Sequence, residues 1–171
     1  MNEIAYFATG CFWGAERRFW QMDGVIETSV GYMGGSKADP TYKEVCTGET
    51  GHAEMVKVVF DPSRVTYNRL LQEFWTMHDP TSLNKQGGDI GTQYRSAIYT
   101  TSPEQMIEAV NTRDIYEKVL QENGLEKICT EILEADGKTY WPAEEYHQRY
   151  LEKNPNGYDC HSSTGVAFPV L

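Results

Sequence analysis

With 171 residues, 40% of them hydrophobic and 23% charged, the chain has the size and composition of one folded domain, 1–171, with interior enough for a core. Its formal net charge of −10 is spread along the chain and leaves no basic patch for a nucleic-acid partner. No apolar run reaches the length of a membrane span, and residues 1–7 lack the basic start and long apolar stretch of a secretory leader, so a cytoplasmic protein is expected, with no membrane partner.

A first strand is expected over residues 4–8, short and apolar. Thr9-Gly10 hands it to a helix over residues 12–22, closed by Asp23-Gly24. A strand over 25–32, a loop over 34–40 and a short helix over 41–46 follow. Residues 54–60 carry Met55, Val56, Val58, Val59 and Phe60 in a strand that Asp61-Pro62 stops. Leu70, Leu71, Phe74, Trp75 and His78 recur at helical spacing, which predicts a helix over 67–77. The polar stretch 79–93 is too long for a plain connector and is expected to be either functional or mobile. A strand over 96–99 precedes a long helix opened by Pro103, where the missing N–H costs nothing, and ended by Asn123-Gly124. Then come a strand over 129–133, a helix over 142–151 and a Gly-rich tail from 154. This string predicts an α+β domain, helices packed on a mixed or mostly antiparallel sheet, with a core over about 1–152 and a flexible tail over about 153–171.

The chain's four cysteines are Cys11, Cys46, Cys129 and Cys160. They form no C-x-x-C pair and match no zinc spacing, and the four histidines do not converge at ligand spacing, so neither a disulfide framework nor a metal site is expected. Cys11 stands apart because Gly10-Cys11-Phe12-Trp13-Gly14 lies where a strand becomes a helix. The free N–H groups and positive dipole end of that helix favour thiolate, below the free cysteine pKa of roughly 8.5. Phe12 and Trp13 beside the sulfur offer an apolar wall. The plain alternative is a buried cysteine among core aromatics. Cys46, in a helix, and Cys129, in a strand, are expected to be buried and inert, whereas Cys160 lies in the Gly-rich tail.

Gly10-Cys11-Phe12-Trp13-Gly14 with Glu16 resembles the signature of the A-type peptide methionine sulfoxide reductases. The likeness continues in order along the chain. Val30-Gly31-Tyr32, Gly34-Gly35, Pro40-Thr41-Tyr42 and Glu44-Val45-Cys46 form one further block, and Gly48 with Thr50-Gly51-His52-Ala53-Glu54 another. His78-Asp79-Pro80-Thr81 with Asp89 and Gly91-Thr92-Gln93-Tyr94-Arg95-Ser96 form a long, specific one, and Tyr140-Trp141-Pro142-Ala143-Glu144 with Gln148, Tyr150 and Leu151 the last. The resemblance implies a ferredoxin-like α/β plait with decorated ends. It implies thiol-dependent reduction of methionine S-sulfoxide, free or in oxidised proteins, with no metal or organic cofactor. Cys11 would be the nucleophile, Phe12 and Trp13 the pocket for the sulfoxide methyl group, and Glu54 the proton donor to the sulfoxide oxygen. Tyr42 and Tyr94 would help bind that oxygen, and Asp89 would organise the site. A tail cysteine, here Cys160, would resolve the Cys11 sulfenic acid, and thioredoxin would reduce the resulting disulfide. Asp159 departs from the family's tail, in which the cysteine often follows the Gly-Tyr pair directly.

Chemistry gives these residue types their reasons. A sulfoxide oxygen leaves only when protonated, so thiolate attack on sulfur needs a neutral acid nearby, and a carboxyl supplies one only if its pKa is raised. Two other readings use the same residues. A papain-like cysteine hydrolase would pair Cys11 with His147, at a separation usual for that family, although neither context matches. A non-catalytic peptide-binding module would use Phe12, Trp13, Tyr42 and Tyr94 as an aromatic pocket and would need no thiol of lowered pKa.

Overall fold

The structure, a computed structural model, describes residues 1–159 and 162–170. The strands are β1 (Glu3–Thr9), β2 (Val25–Met33), β3 (Ala53–Phe60), β4 (Lys85–Gln86), β5 (Asp89–Ile90), β6 (Ser96–Thr100), β7 (Glu131–Glu134) and β8 (Trp141–Pro142). The helices are α1 (Phe12–Trp20), α2 (Tyr42–Cys46), α3 (Tyr67–Met77), α4 (Pro103–Glu122) and α5 (Tyr150–Lys153), with 3₁₀ turns at Thr92–Tyr94 and Glu145–His147.

A six-stranded sheet runs in the order β7-β6-β1-β3-β2-β8. β1 lies antiparallel between β3 and β6, with Phe7 opposite Val56 on one side and Ile98 on the other. β7 joins the edge in parallel, Ile98 opposite Ile132, so the sheet is mixed as expected. The central pattern β1-α1-β2-β3-α3-β6 is the ferredoxin-like plait, decorated at one edge by β7 and at the other by β8.

Alternation along β1 builds two interiors. Phe7 faces the helices and stacks on Phe19 of α1 at 5.0 Å between ring centroids, with Tyr67 and Phe74 of α3 completing the cluster. Ala8 faces the other way, into a smaller cluster with Met33, Met55, Ala97 and Tyr99. Burial of these aromatic and aliphatic side chains contributes about 1.5–3 kcal/mol each and dominates the stability of the fold. Helix starts are marked by the sequence. Thr66 accepts from the Arg69 N–H at the head of α3, and Ser102 from the Gln105 N–H at the head of α4, where Pro103 takes the first position. Thr41 and Glu44 close a reciprocal capping box on α2, which lets a five-residue helix hold Tyr42.

Two expectations change. The helix over 142–151 does not form. Trp141–Pro142 pairs instead with Tyr32 and Gly31, and the polar side chains beyond it bond to distant backbone. Gln148 grips Val30, accepting from its N–H and donating to its C=O, while Glu144 accepts from Tyr32 Oη and the Tyr42 N–H. Arg149 then takes a left-handed conformation, φ 53°, so only a 3₁₀ turn and the short α5 survive. The strand expected over 129–133 is displaced to Glu131–Glu134, and Cys129 lies just before it. The stretch 79–93 is structured by the β4–β5 hairpin and by buried Gln86, whose amide bonds both the N–H and the C=O of Asp79. Beyond Asn154 no regular element forms among the described residues, yet the chain returns to α4, where Tyr116 Oη donates to the Val166 carbonyl and stacks on Phe168.

Candidate active site

The site is assembled around the first turn of α1. Gly10 turns the end of β1 at φ 101°, a region closed to side chains, and Gln86 packs where a Cβ would stand, 2.7 Å away. Cys11 follows as the N-cap residue, 8% exposed. The N–H groups of Trp13 and Gly14 point to its sulfur, while the next orphan donor, the Phe12 N–H, bonds Glu54 Oε1 at 3.1 Å. One helix terminus therefore faces both the thiol and the carboxyl.

Glu54 comes from β3, opposite Tyr32 in the sheet, and is 2% exposed. Among the described residues its second oxygen, Oε2, has no hydrogen-bond partner. Burial pushes its carboxyl up to about 8; the Phe12 N–H opposes that shift and the Asp89 charge adds to it. The site thus holds a protonated carboxylic acid near neutral pH, as the chemistry requires. The expected thiolate at Cys11 is not the ligand-free state. Burial, and after it the Glu54 and Asp89 charges, raise the thiol well above its ordinary value, and the Trp13 and Gly14 amides only partly offset them. A helix terminus loses this contest when burial strips the sulfur of water, and loses it further once Glu54 ionises.

Tyr42, at the first turn of α2, and Tyr94, in the 3₁₀ turn, stay neutral donors because burial and then the Glu54 charge raise their hydroxyls. Cys46, Asp89 and Cys11 also raise the Tyr94 hydroxyl, so these groups lie within electrostatic reach of it. Gly91, at φ 145°, starts the turn that carries Tyr94, with the Gln93 amide against the space of its absent side chain. Asp89 on β5 accepts from Tyr158 Oη through both carboxylate oxygens at 3.2 Å. Phe12 is buried against Tyr32 and His147. Trp13 lies face to face with Tyr150, 3.8 Å between centroids, and its Nε1–H donates to His147 Nδ1 at 3.0 Å.

Of the residues expected in the site, Cys11, Phe12, Trp13, Tyr42, Glu54, Asp89 and Tyr94 are brought together; Cys160 lies outside the described residues. The other thiols need correction. Cys46 is exposed at the end of α2, not buried, and Cys129 is half-buried, its thiol donating to the Pro80 carbonyl. His147 and Tyr150 were missed as pocket walls because they follow no periodicity. Tyr150 belongs to the block that starts at Tyr140, whereas His147 stands out in the sequence only as the partner of Cys11 in the hydrolase reading. His147 Nδ1 accepts from Trp13 and the ring packs on Tyr42 at 4.4 Å; among the described residues no hydrogen bond joins His147 to Cys11, and the family that the chain matches is not a hydrolase family. That removes the hydrolase reading. Among the described residues no group of three or more Cys, His, Asp and Glu is placed to hold a metal, and no helix is long and apolar enough to cross a membrane.

Comparison with known proteins gives the same direction. The family model described as peptide methionine sulfoxide reductase matches residues 3–168. The chain is 56% identical over 168 residues to the peptide methionine sulfoxide reductase MsrA of Streptomyces griseus, covering 98% of this chain and 76% of that protein. It is 54% identical over 169 residues to the mitochondrial peptide methionine sulfoxide reductase of Homo sapiens, covering 99% and 71%. The solved methionine sulfoxide reductase A of Corynebacterium diphtheriae superposes with a TM-score of 0.89 at 48% identity, covering 99% of this chain and 84% of that one. With a match of this extent over a thiol and a neutral buried acid at one helix terminus, the chain belongs to the A-type peptide methionine sulfoxide reductases, thiol enzymes that reduce methionine sulfoxide to methionine.

Proposed function

We propose that Cys11 attacks the sulfur of a methionine S-sulfoxide while Glu54 protonates its oxygen. The carrying observation is Glu54 itself, a buried carboxyl held up to about 8, with Oε2 unpartnered among the described residues and Oε1 on the N–H that follows Cys11. Phe12 and Trp13 receive the methyl group, Tyr42 and Tyr94 donate to the oxygen, and Asp89 holds the mouth of the site through Tyr158. The oxygen passes from methionine sulfur to cysteine sulfur: the sulfoxide is reduced by two electrons to methionine, and the Cys11 thiol becomes a sulfenic acid. The Cys160 thiol then attacks that sulfur, water leaves, and a Cys11–Cys160 disulfide forms. A dithiol of thioredoxin takes over the disulfide and restores both thiols. A solved yeast structure of this fold is of Mxr1 in complex with Trx2, which supports that reductant. Free and protein-bound methionine S-sulfoxide are the substrates and the R epimer is a poor one. All steps belong to one domain, 1–171, working in the cytoplasm.

Mass spectrometry after one equivalent of methionine S-sulfoxide, without reductant, tests this reading. One methionine is expected per enzyme, with a Cys11–Cys160 disulfide in the wild type and a gain of one oxygen at Cys11 in Cys160→Ser. Unchanged enzyme beside formed methionine would overturn it.

A further inference from the structure

Glu16 takes no part in these steps, yet it is fully buried, 0% exposed, with both carboxyl oxygens engaged. A carboxyl removed from water is costly unless bonded, and a place needing only packing would be filled more cheaply by an apolar side chain. Oε1 accepts from the Arg149 N–H at 2.8 Å and Oε2 accepts from Thr28 Oγ1 at 2.8 Å. We propose that Glu16 is a positioning residue for the methyl-binding pocket, fastening Arg149 so that Tyr150 stays against the Trp13 ring; this rests on Trp13 being the wall of that pocket.

Trp13 and Glu16 stand three residues apart on α1 and so share a face. The segment crossing that face is Glu144–Lys153, whose backbone–backbone hydrogen bonds are local: the His147 N–H to Glu144, the Gln148 N–H to Glu145, and the Glu152 and Lys153 N–H groups to Arg149. Arg149 has φ 53° and ψ 38°, a conformation disfavoured for any residue with a Cβ, and it starts a helix of only four residues. Side chains supply what the backbone lacks. Gln148 ties one end to Val30 of β2. Glu16 ties the next residue to α1, and Arg149 lays its guanidinium over Trp20 at 4.5 Å. Tyr150 follows directly and stacks on Trp13 at 3.8 Å and 12°. Remove the Glu16 tie and the Gln148 anchor still keeps His147 on Trp13 Nε1, but the Arg149 N–H loses its acceptor and the left-handed conformation is left to the local contacts of Arg149 with Trp20 and Glu152. Tyr150 is then free to leave the indole, and Trp13 keeps its hydrogen bond while losing its backing.

The test is single-turnover methionine release across a series of methionine S-sulfoxide concentrations. Glu16→Met keeps the packing volume and deletes the acceptors. It is expected to raise the half-saturating concentration about tenfold while the plateau rate stays within about twofold. Glu16→Gln, which still offers an oxygen to the Arg149 N–H, is expected to recover most of the loss and carries the comparison if Glu16→Met folds poorly. Tyr150→Ala alone is expected to raise half-saturation, and adding Glu16→Met to it to change little more, because both remove one support. A reduced plateau with unchanged half-saturation, full additivity with Tyr150→Ala, or Glu16→Gln as impaired as Glu16→Met would each overturn the proposal. Trp13→Ala separates the two readings. If it leaves half-saturation unchanged, the pocket assignment fails and this proposal with it; if it raises half-saturation and Glu16→Met does not, only the role of Glu16 fails.

Discussion

At the scale of single residues, the proposed chemistry uses two neighbouring groups, both neutral near neutral pH. The Glu54 carboxyl is raised to about 8, first by burial, and the Cys11 thiol is raised by burial and by the charge of Glu54. Glu54→Gln is therefore expected to slow methionine release in a single turnover by about 10² to 10⁴, the usual loss for a positioned acid. The same variant is expected to shift the pH midpoint of Cys11 alkylation downward, since it removes a nearby negative charge. Unmoved alkylation would show that the carboxylate does not reach the thiol. Stability follows with its own sign. A carboxyl whose folded pKa is raised contributes stability that is fully present below its unfolded pKa of roughly 4.3 and is lost as pH rises through about 8. Urea unfolding at several pH values is expected to show wild type losing stability relative to Glu54→Gln across that window; parallel curves would contradict the burial argument.

At the scale of elements, the joint between β1 and α1 carries the site, and it was legible. Gly10-Cys11 after an apolar strand marked both the turn and the exposed helix terminus. The plait strands and the helices of residues 67–77 and 103–122 were also readable, because periodicity and caps report local structure. The failure at residues 142–151 has a physical cause. Glu144, Gln148 and the Trp141–Pro142 strand bond to Tyr32, Tyr42, Val30 and Gly31, partners far away in sequence, and such bonds leave no periodic trace. The protonation state of Cys11 was misread for a related reason: the helix terminus is visible in sequence, whereas the desolvation that overrides it is not. Position 10 allows a direct check of the joint. Gly10→Ala forces a side chain into φ 101° and into Gln86, and is expected to cost about 1–3 kcal/mol in chemical denaturation. It is also expected to lower turnover, because Cys11 follows directly. Wild-type stability in this variant would mean that the joint relaxes without cost.

At the scale of the whole molecule, the question is how a second thiol reaches one buried beside β3. The described chain before Cys160 is held to the site. Arg17 of α1 pairs with Asp159, and Tyr158 Oη bonds Asp89. The chain after it is held to α4 through Thr164, Val166 and Phe168, all against Tyr116. These contacts tie the described tail to α1, β5 and α4 on either side of position 160, and the proposed resolving role of Cys160 draws on that attachment. Cys129 is committed to Pro80, and Cys46, although exposed, sits on a capped helix with a fixed place beside Tyr42. Cys160→Ser is therefore expected to release one methionine per enzyme at the wild-type rate and then stall with oxidised Cys11 when thioredoxin is the reductant. Dithiothreitol, small enough to enter the site, is expected to restore part of the turnover. Cys46→Ser is expected to turn over normally under both conditions. If instead Cys160→Ser cycles with thioredoxin and Cys46→Ser stalls, resolution belongs to the exposed thiol of α2, and the tail's attachment to α1 serves stability alone.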